Sequence, residues 1–435
     1  VISSLSLLFF FPCSFLLLPN IQPPIFPIRR CKIADFFQNG EITTLHDLHN
    51  RSLESLETEL EQFSAKSPMT LILPCLFSEL EGSALGKIVD ELAQVKYLDR
   101  IIIGLDGASE VQFAYAKKYF AKINQNHQIL WNDGYRLQEV NQLLQQKKLA
   151  PGERGKGYNV WYCMGYFLSC GTSQIVALHD CDILTYERGL VAKLLYPLVN
   201  PTFQFKFCKG YYYRQADNKL NGRVMRLLVV PLVRSLKKIF KDNAFLEYID
   251  SFRYPLSGEF SMVVDVVKTI RIPYDWGLEI GVLYDVYRNH NLNKICQVDI
   301  ANAYDHKHQN LSVDNREQGL SKMSIDICKA LFRKMAASGQ VFSQEIFRTI
   351  KATYYRTALD YIERYYSDAV MNGLILDRHH EETAIELFAQ SIIHAGNVFL
   401  QNPQMNPVIP SWNRVISADS NILRKIHDAV EADNN

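Results

Sequence analysis

The chain's strongest constraint is a set of short, continuously apolar runs separated by amphipathic stretches. MTLILP, RIIIGLDG, HQILW and SQIVALHDCDIL are such runs. None leaves a polar face for solvent, as expected of strands buried on both sides in a parallel sheet. Between them lie ALGKIVDELAQV, VQFAYAKKYFAKI, RLQEVNQLLQQKK and YNVWYCMGYFLSCG, which read as helices. This strand–helix alternation predicts an α/β fold with a mostly parallel sheet.

Other segments complete the outline. RSLESLETELEQF places Leu53, Leu56, Leu60 and Phe63 at helical spacing until Ser67-Pro68 breaks the run. After Asp182 the pattern is mixed. FQFKFCKGYYYR alternates as a strand, and RVMRLLVVPLVRSLKKIF reads as a helix with Pro231 inside it. Beyond about residue 320 the chain reads as helical. Phe342, Ile346, Ile350, Tyr354, Ala358, Tyr361 and Tyr365 share one face, which suits core packing or a homodimer surface. The closing EADNN is expected to fray. The expected division is 1–31 as a non-native or disordered extension, 32–66 as a helical segment and 67–200 as a nucleotide-binding half. Residues 201–320 then form an acceptor-binding half, and 321–435 a C-terminal helical region with a frayed tail.

Composition narrows the partners. Lys and Arg number 47 against 46 Asp and Glu, whereas a general nucleic-acid binder is clearly basic. Nucleic acid is therefore not expected. The nine cysteines include no Cys-x-x-Cys pair, and several sit in apolar runs. That pattern suits buried thiols in the cytoplasm. The apolar start lacks a leading basic segment and is interrupted by Pro12 and Pro19, so no stable membrane insertion is expected. The folded protein is expected to begin near Lys32.

The chemistry centres on Asp180-Cys181-Asp182, directly after the apolar IVAL. Ligands of open α/β sheets bind beyond the carboxyl ends of the strands. Carboxylates two apart on extended backbone share a side and can hold a hard divalent cation, which in turn bridges phosphates. Upstream, GERGKGYNVW offers glycines and a helix start to a diphosphate, with Lys156 as a point charge. In Tyr304-Asp305-His306-Lys307-His308 a histidine can complete a carboxylate-held metal site, with Mn²⁺ suiting it better than Mg²⁺. His179 abuts the Asp pair but is read as pointing away, and His379-His380 as surface. Arg214, Arg223 and Arg226 could fork onto an anionic acceptor. Gly258 and Gly277 suggest tight turns presenting Glu259 and Glu279.

Together these stretches resemble the glucosyl-3-phosphoglycerate synthase family of retaining GT-A glycosyltransferases. The resemblance rests on LILPCL, RIIIGLDG, the Gly-Lys-Gly loop, HDCD, YYYR with NGRV, PLSGEF, WGLEIGVLYDVY and QVDIANAYDHKHQ, in order across roughly residues 68–310. It implies a Rossmann-like GT-A domain with a mixed sheet, an acceptor-binding part and C-terminal helices. It also implies a nucleotide-sugar donor, a small acid acceptor, and Mg²⁺ or Mn²⁺. Pro74, Cys75, Leu76 and Asp106 would line the nucleotide, with Cys181 also on the donor side. Lys156 would touch the diphosphate. Asp182 would be the main metal ligand, joined by His306, with Asp180 supporting the ribose and the metal shell. Gly222, Arg223 and His308 would bind the acceptor, Glu279 would hold glucose hydroxyls, and Leu256 would lie near the new glycosidic bond. The implied reaction moves glucose to the 2-hydroxyl of 3-phosphoglycerate with retention.

Two positions depart from that pattern. Met225 stands where relatives tend to carry a hydroxyl residue, and Tyr304 where they tend to carry arginine. Free glycerate therefore stays open as the acceptor, as does mannose as the sugar. A nucleotidyltransferase would need a glycine-rich signature where this chain has PCLFSELEG. A sugar-binding module without activity is the non-enzymatic alternative.

Overall fold

In the computed structural model, residues 38, 40–306, 318–403 and 408–435 are described. The extension over 1–31 and His308 lie outside them. Among the described residues nine strands form one sheet: β1 (Thr43–Leu45), β2 (Met69–Leu76), β3 (Leu98–Asp106), β4 (His127–Trp131), β5 (Ile175–Leu178), β6 (Phe207–Ala216), β7 (Lys219–Leu220), β8 (Phe260–Val263) and β9 (Ile295–Tyr304). The order is β1-β9-β6-β8-β5-β2-β3-β4, with β7 hairpinned onto β6. β8 runs against both of its neighbours. The other contacts along that path are parallel. The carboxyl ends of β2, β3, β5, β6 and β9 therefore share one edge, and β8 begins there. This is the mixed α/β sheet expected of a GT-A domain.

The apolar runs are buried on both faces, as their composition requires. Ile101, Ile103 and Leu105 of β3 enter one core cluster, and Ile102 enters the other. Gly104 lets the Lys156–Cys170 helix approach the sheet. The Asn159 side-chain amide donates to its carbonyl at 2.6 Å. A Cβ there would sit 1.9 Å from Asn159 Oδ1 and 2.5 Å from Cys163 Sγ.

Two expectations are corrected. The stretch read as one helix around Pro231 is a π-helical turn, Val224–Val229, followed by an α-helix, Val230–Ile239. Pro231 has no N–H to give the Leu227 carbonyl, and the Tyr354 hydroxyl donates to that carbonyl instead, at 2.7 Å. The tail does not fray: Ile422–Asn434 is helical. The Asn434 side chain bonds the Ile129 backbone N–H at 3.0 Å and its carbonyl at 2.9 Å. Asp433 pairs with Arg136. The Asn434 bonds cover β4, which ends the sheet and would otherwise expose unpaired backbone groups, and the Asp433 pair ties the tail to the helix that follows it.

Gln38–Asn435 forms a single compact unit, so the sheet and the C-terminal helices share one body. The Gln344–Met371 helix buries Ile350, Tyr354 and Ala358 against the Arg378–Gln401 and Val230–Ile239 helices. No described helix is long and apolar enough to cross a membrane. Gly104→Ala is expected to destabilise the protein by about 1–3 kcal/mol through overpacking, read as a lower midpoint in urea unfolding.

Candidate active site

β5 ends at Leu178, and His179 to Asp182 leave the sheet at its ligand edge. His179 is fully buried and lies edge-on to Tyr186, its ring nitrogens without a hydrogen-bond partner among the described residues. Burial pushes its imidazole down to about 3, so it is a neutral core ring. Alternation then sends Asp180 and Asp182 to one side and Cys181 to the other.

Asp180 is taken up by Lys156, the first residue of its helix. The ammonium lies 2.6 Å from Asp180 Oδ1 and 3.4 Å from Glu279 Oε1. Glu279 comes from the first turn of the Leu278–Asn289 helix. Burial works against the Lys156 charge, but Asp180 and Glu279 outweigh it and hold the ammonium well above the ordinary lysine range. Gly258, just ahead of β8, closes over Asp180: a Cβ there would sit 2.3 Å from Asp180 Oδ2.

Asp182 meets His306. Continuation of β9 forms a bridge between Ile183 and His306, with the Leu184 N–H donating to the Asp305 carbonyl at 2.9 Å. This sets His306 Nδ1 3.6 Å from Asp182 Oδ2. Burial pushes the Asp182 carboxyl up, but the hydrogen bond and charge of His306, together with Lys156, bring it below its usual range. Among the described residues no group of three or more His, Cys, Asp or Glu gathers around one point. Of the expected trio, Asp182 and His306 face each other while the Lys156 ammonium holds Asp180. A carboxylate and an imidazole at that separation fit a borderline divalent ion whose remaining ligands come from phosphate and water.

Behind these groups lies a buried layer around Glu259, which the sequence reads as presented by a turn. Glu259, fully buried, accepts from the Tyr304 hydroxyl at 2.7 Å and from Ser257 at 2.9 Å. Burial, reinforced by Asp180, raises its carboxyl pKa. Lys209 of β6 donates to the Ser257 carbonyl, and burial pushes its amine down to about 8. The Tyr212 ring stacks on Tyr304 at 3.6 Å.

Lys156, Asp180, Leu256, Gly222, Arg223, Glu279 and His306 line one cavity of about 380 Å³. Pro74, Cys75, Leu76 and Asp106, expected on the donor side, are instead at the ends of β2 and β3. Cys75 and Cys181, both expected on the donor side, have side chains buried in the core with their thiols facing each other, because alternation turns them from the cleft; that leaves their backbone to meet a donor. Asp106 is already paired. Arg154 forks between it, at 2.7 Å, and Asp133, at 2.5 Å. Arg223 is also engaged, sharing buried Glu381 with Arg226 at 3.0 and 2.8 Å. Nothing near Arg154 or Glu381 in sequence signals these partners.

No family model matches the chain. It is 46% identical over 402 residues to glucosyl-3-phosphoglycerate synthase of Persephonella marina, covering 92% of this chain and 99% of that protein. It is 39% identical over 404 residues to the Methanococcoides burtonii enzyme of the same name, covering 92% and 98%. The crystal structure of glucosyl-3-phosphoglycerate synthase from Mycobacterium tuberculosis in complex with phosphoglyceric acid aligns with a TM-score of 0.49 at 19% identity, over 70% of this chain and 90% of that one; that likeness is too loose to place residues. On the two near full-length relatives, the chain belongs to the glucosyl-3-phosphoglycerate synthase family of glycosyltransferases.

Proposed function

We propose that this chain transfers glucose, with retention, from a nucleoside-diphosphate glucose to the 2-hydroxyl of 3-phosphoglycerate. The observation that carries the reading is the convergence of Lys156, Asp180 and Glu279 with the Asp182–His306 pair at one sheet edge, in a chain whose near full-length relatives bear that enzyme's name. Asp182 and His306 would hold Mg²⁺ or Mn²⁺. The ion would withdraw charge from the departing diphosphate.

The chain's own groups do the rest. Lys156, fixed between two carboxylates, presents a stable positive charge to the diphosphate from a helix N-terminus. Glu279, one face of the same ion pair, is placed to orient glucose hydroxyls. Asp180 and Glu279 are both engaged by Lys156, which leaves neither as a free nucleophile in the cavity. That favours front-face attack, in which a diphosphate oxygen accepts the acceptor's proton as the glycosidic bond forms. The described cysteines are free thiols, which agrees with a cytoplasmic setting.

Mass spectrometry of mixtures pairing UDP-, ADP- or GDP-glucose with 3-phosphoglycerate or glycerate tests the reading. A glucose adduct on 3-phosphoglycerate is expected, and no adduct in any pairing would refute it. Asp182→Ala is expected to lower turnover by at least about a hundredfold, as loss of a charge-stabilising group does, and EDTA should have the same effect on the wild type. Lys156→Met is expected to raise the donor KM about ten- to a hundredfold, the usual weight of a charge-assisted contact.

A further inference from the structure

Three arginines reach the acceptor side of the cavity, and their environments differ. Arg223 and Arg226 are tied to Glu381. Arg214 pairs with no carboxylate among the described residues. One of its terminal amines donates weakly to the His306 carbonyl, at 3.5 Å, and Tyr254 lines the cavity with it. Its Nε is buried with no partner. Beside it, the Asn221 side-chain nitrogen is also buried and unpartnered. The two residues are joined through their backbones, the Asn221 N–H donating to the Arg214 carbonyl at 2.8 Å. Arg214 and Asn221 both line the cavity.

The site is built rather than incidental. Arg214 closes the register of β6 on β9, opposite Tyr304 and two residues from His306. The β6–β7 hairpin turns through Asp217 and Asn218, both left-handed at φ 49° and 55°, the geometry of a tight two-residue turn. The Asn218 carbonyl accepts the Ile375 N–H at 2.7 Å, which pins the hairpin. Buried donors without partners are rare and call for an acceptor, and a guanidinium with a neighbouring amide suits carboxylate or phosphate oxygens.

We infer that Arg214, with Asn221, is a receptor for an anionic group of the acceptor. This rests on the acceptor being the small acid proposed above. Arg214→Met and Arg214→Lys are compared with wild type by calorimetric titration of 3-phosphoglycerate, glycerate, inorganic phosphate and UDP, alongside thermal unfolding. Arg214→Met should weaken 3-phosphoglycerate about ten- to a hundredfold, with UDP affinity kept and Arg214→Lys recovering only part. If phosphate weakens with it and glycerate does not, the phosphate is the group bound; if glycerate weakens alike, it is the carboxylate. Either result supports the assignment. Unchanged 3-phosphoglycerate affinity in Arg214→Met would overturn it. So would an equal loss of UDP affinity, or a wild type that binds none of the three anions. A wild type that binds 3-phosphoglycerate but transfers no glucose to it would refute the proposed reaction and leave Arg214 standing.

Discussion

One ammonium group organises the cleft. Lys156 opens a helix, so its charge adds to the positive end of the helix dipole, an unfavourable place for a cation. Asp180 and Glu279 compensate it from two other segments. Without Lys156 those two carboxylates would face one another in a poorly solvated cleft, where like charges raise each other's pKa. The three groups fix where the end of β5, the glycine loop and the Leu278–Asn289 helix meet. They also hold an ammonium at a helix start with two carboxylates balancing its charge.

The antiparallel strand is the second constraint. β8 lies between β5 and β6 and runs against both. Its amino end, Ser257 to Glu259, therefore arrives at the edge where the other strands finish. Leu178 pairs with Phe260, and two further steps bring Asp180 opposite Gly258, where only a glycine fits. The next residue, Glu259, points into the buried layer with Tyr304 and Ser257. A parallel strand in that slot would present its carboxyl end and could not supply this floor. Buried charges such as Glu259 and Lys209 are tolerated only when paired or hydrogen-bonded, so this layer also fixes Tyr304 and, two residues on, His306.

The strands and the Asp pair were legible because burial on both faces leaves an unmistakable composition and because ligand edges follow strand ends. The burial of Cys75 was legible in the apolar run that holds it, and the two-residue period that aims Asp180 and Asp182 outward aims Cys181 inward. The partner of Arg223 was not legible, since Glu381 sits in a charged helix start that reads as surface. Likewise EADNN looks like a solvated tail because what docks it is an ion pair and two side-chain hydrogen bonds to β4, with little apolar pattern to announce them. Specific polar contacts between distant segments leave no periodicity in sequence.

The paired charges divide the cavity into two ends. On the donor side, Lys156 against Asp180 and Glu279 leaves a formal excess of one negative charge. On the other side, Arg223 and Arg226 against Glu381 leave one positive charge. Arg214 adds another, while Lys219 is offset by Asp217 at the same hairpin. A cleft with poorly solvated walls sharpens such a field. An acid acceptor entering it is drawn with its anionic group toward β6 and β7. On the proposed function its uncharged hydroxyl would then face Lys156 and the Asp182–His306 pair, the orientation that glycosyl transfer requires.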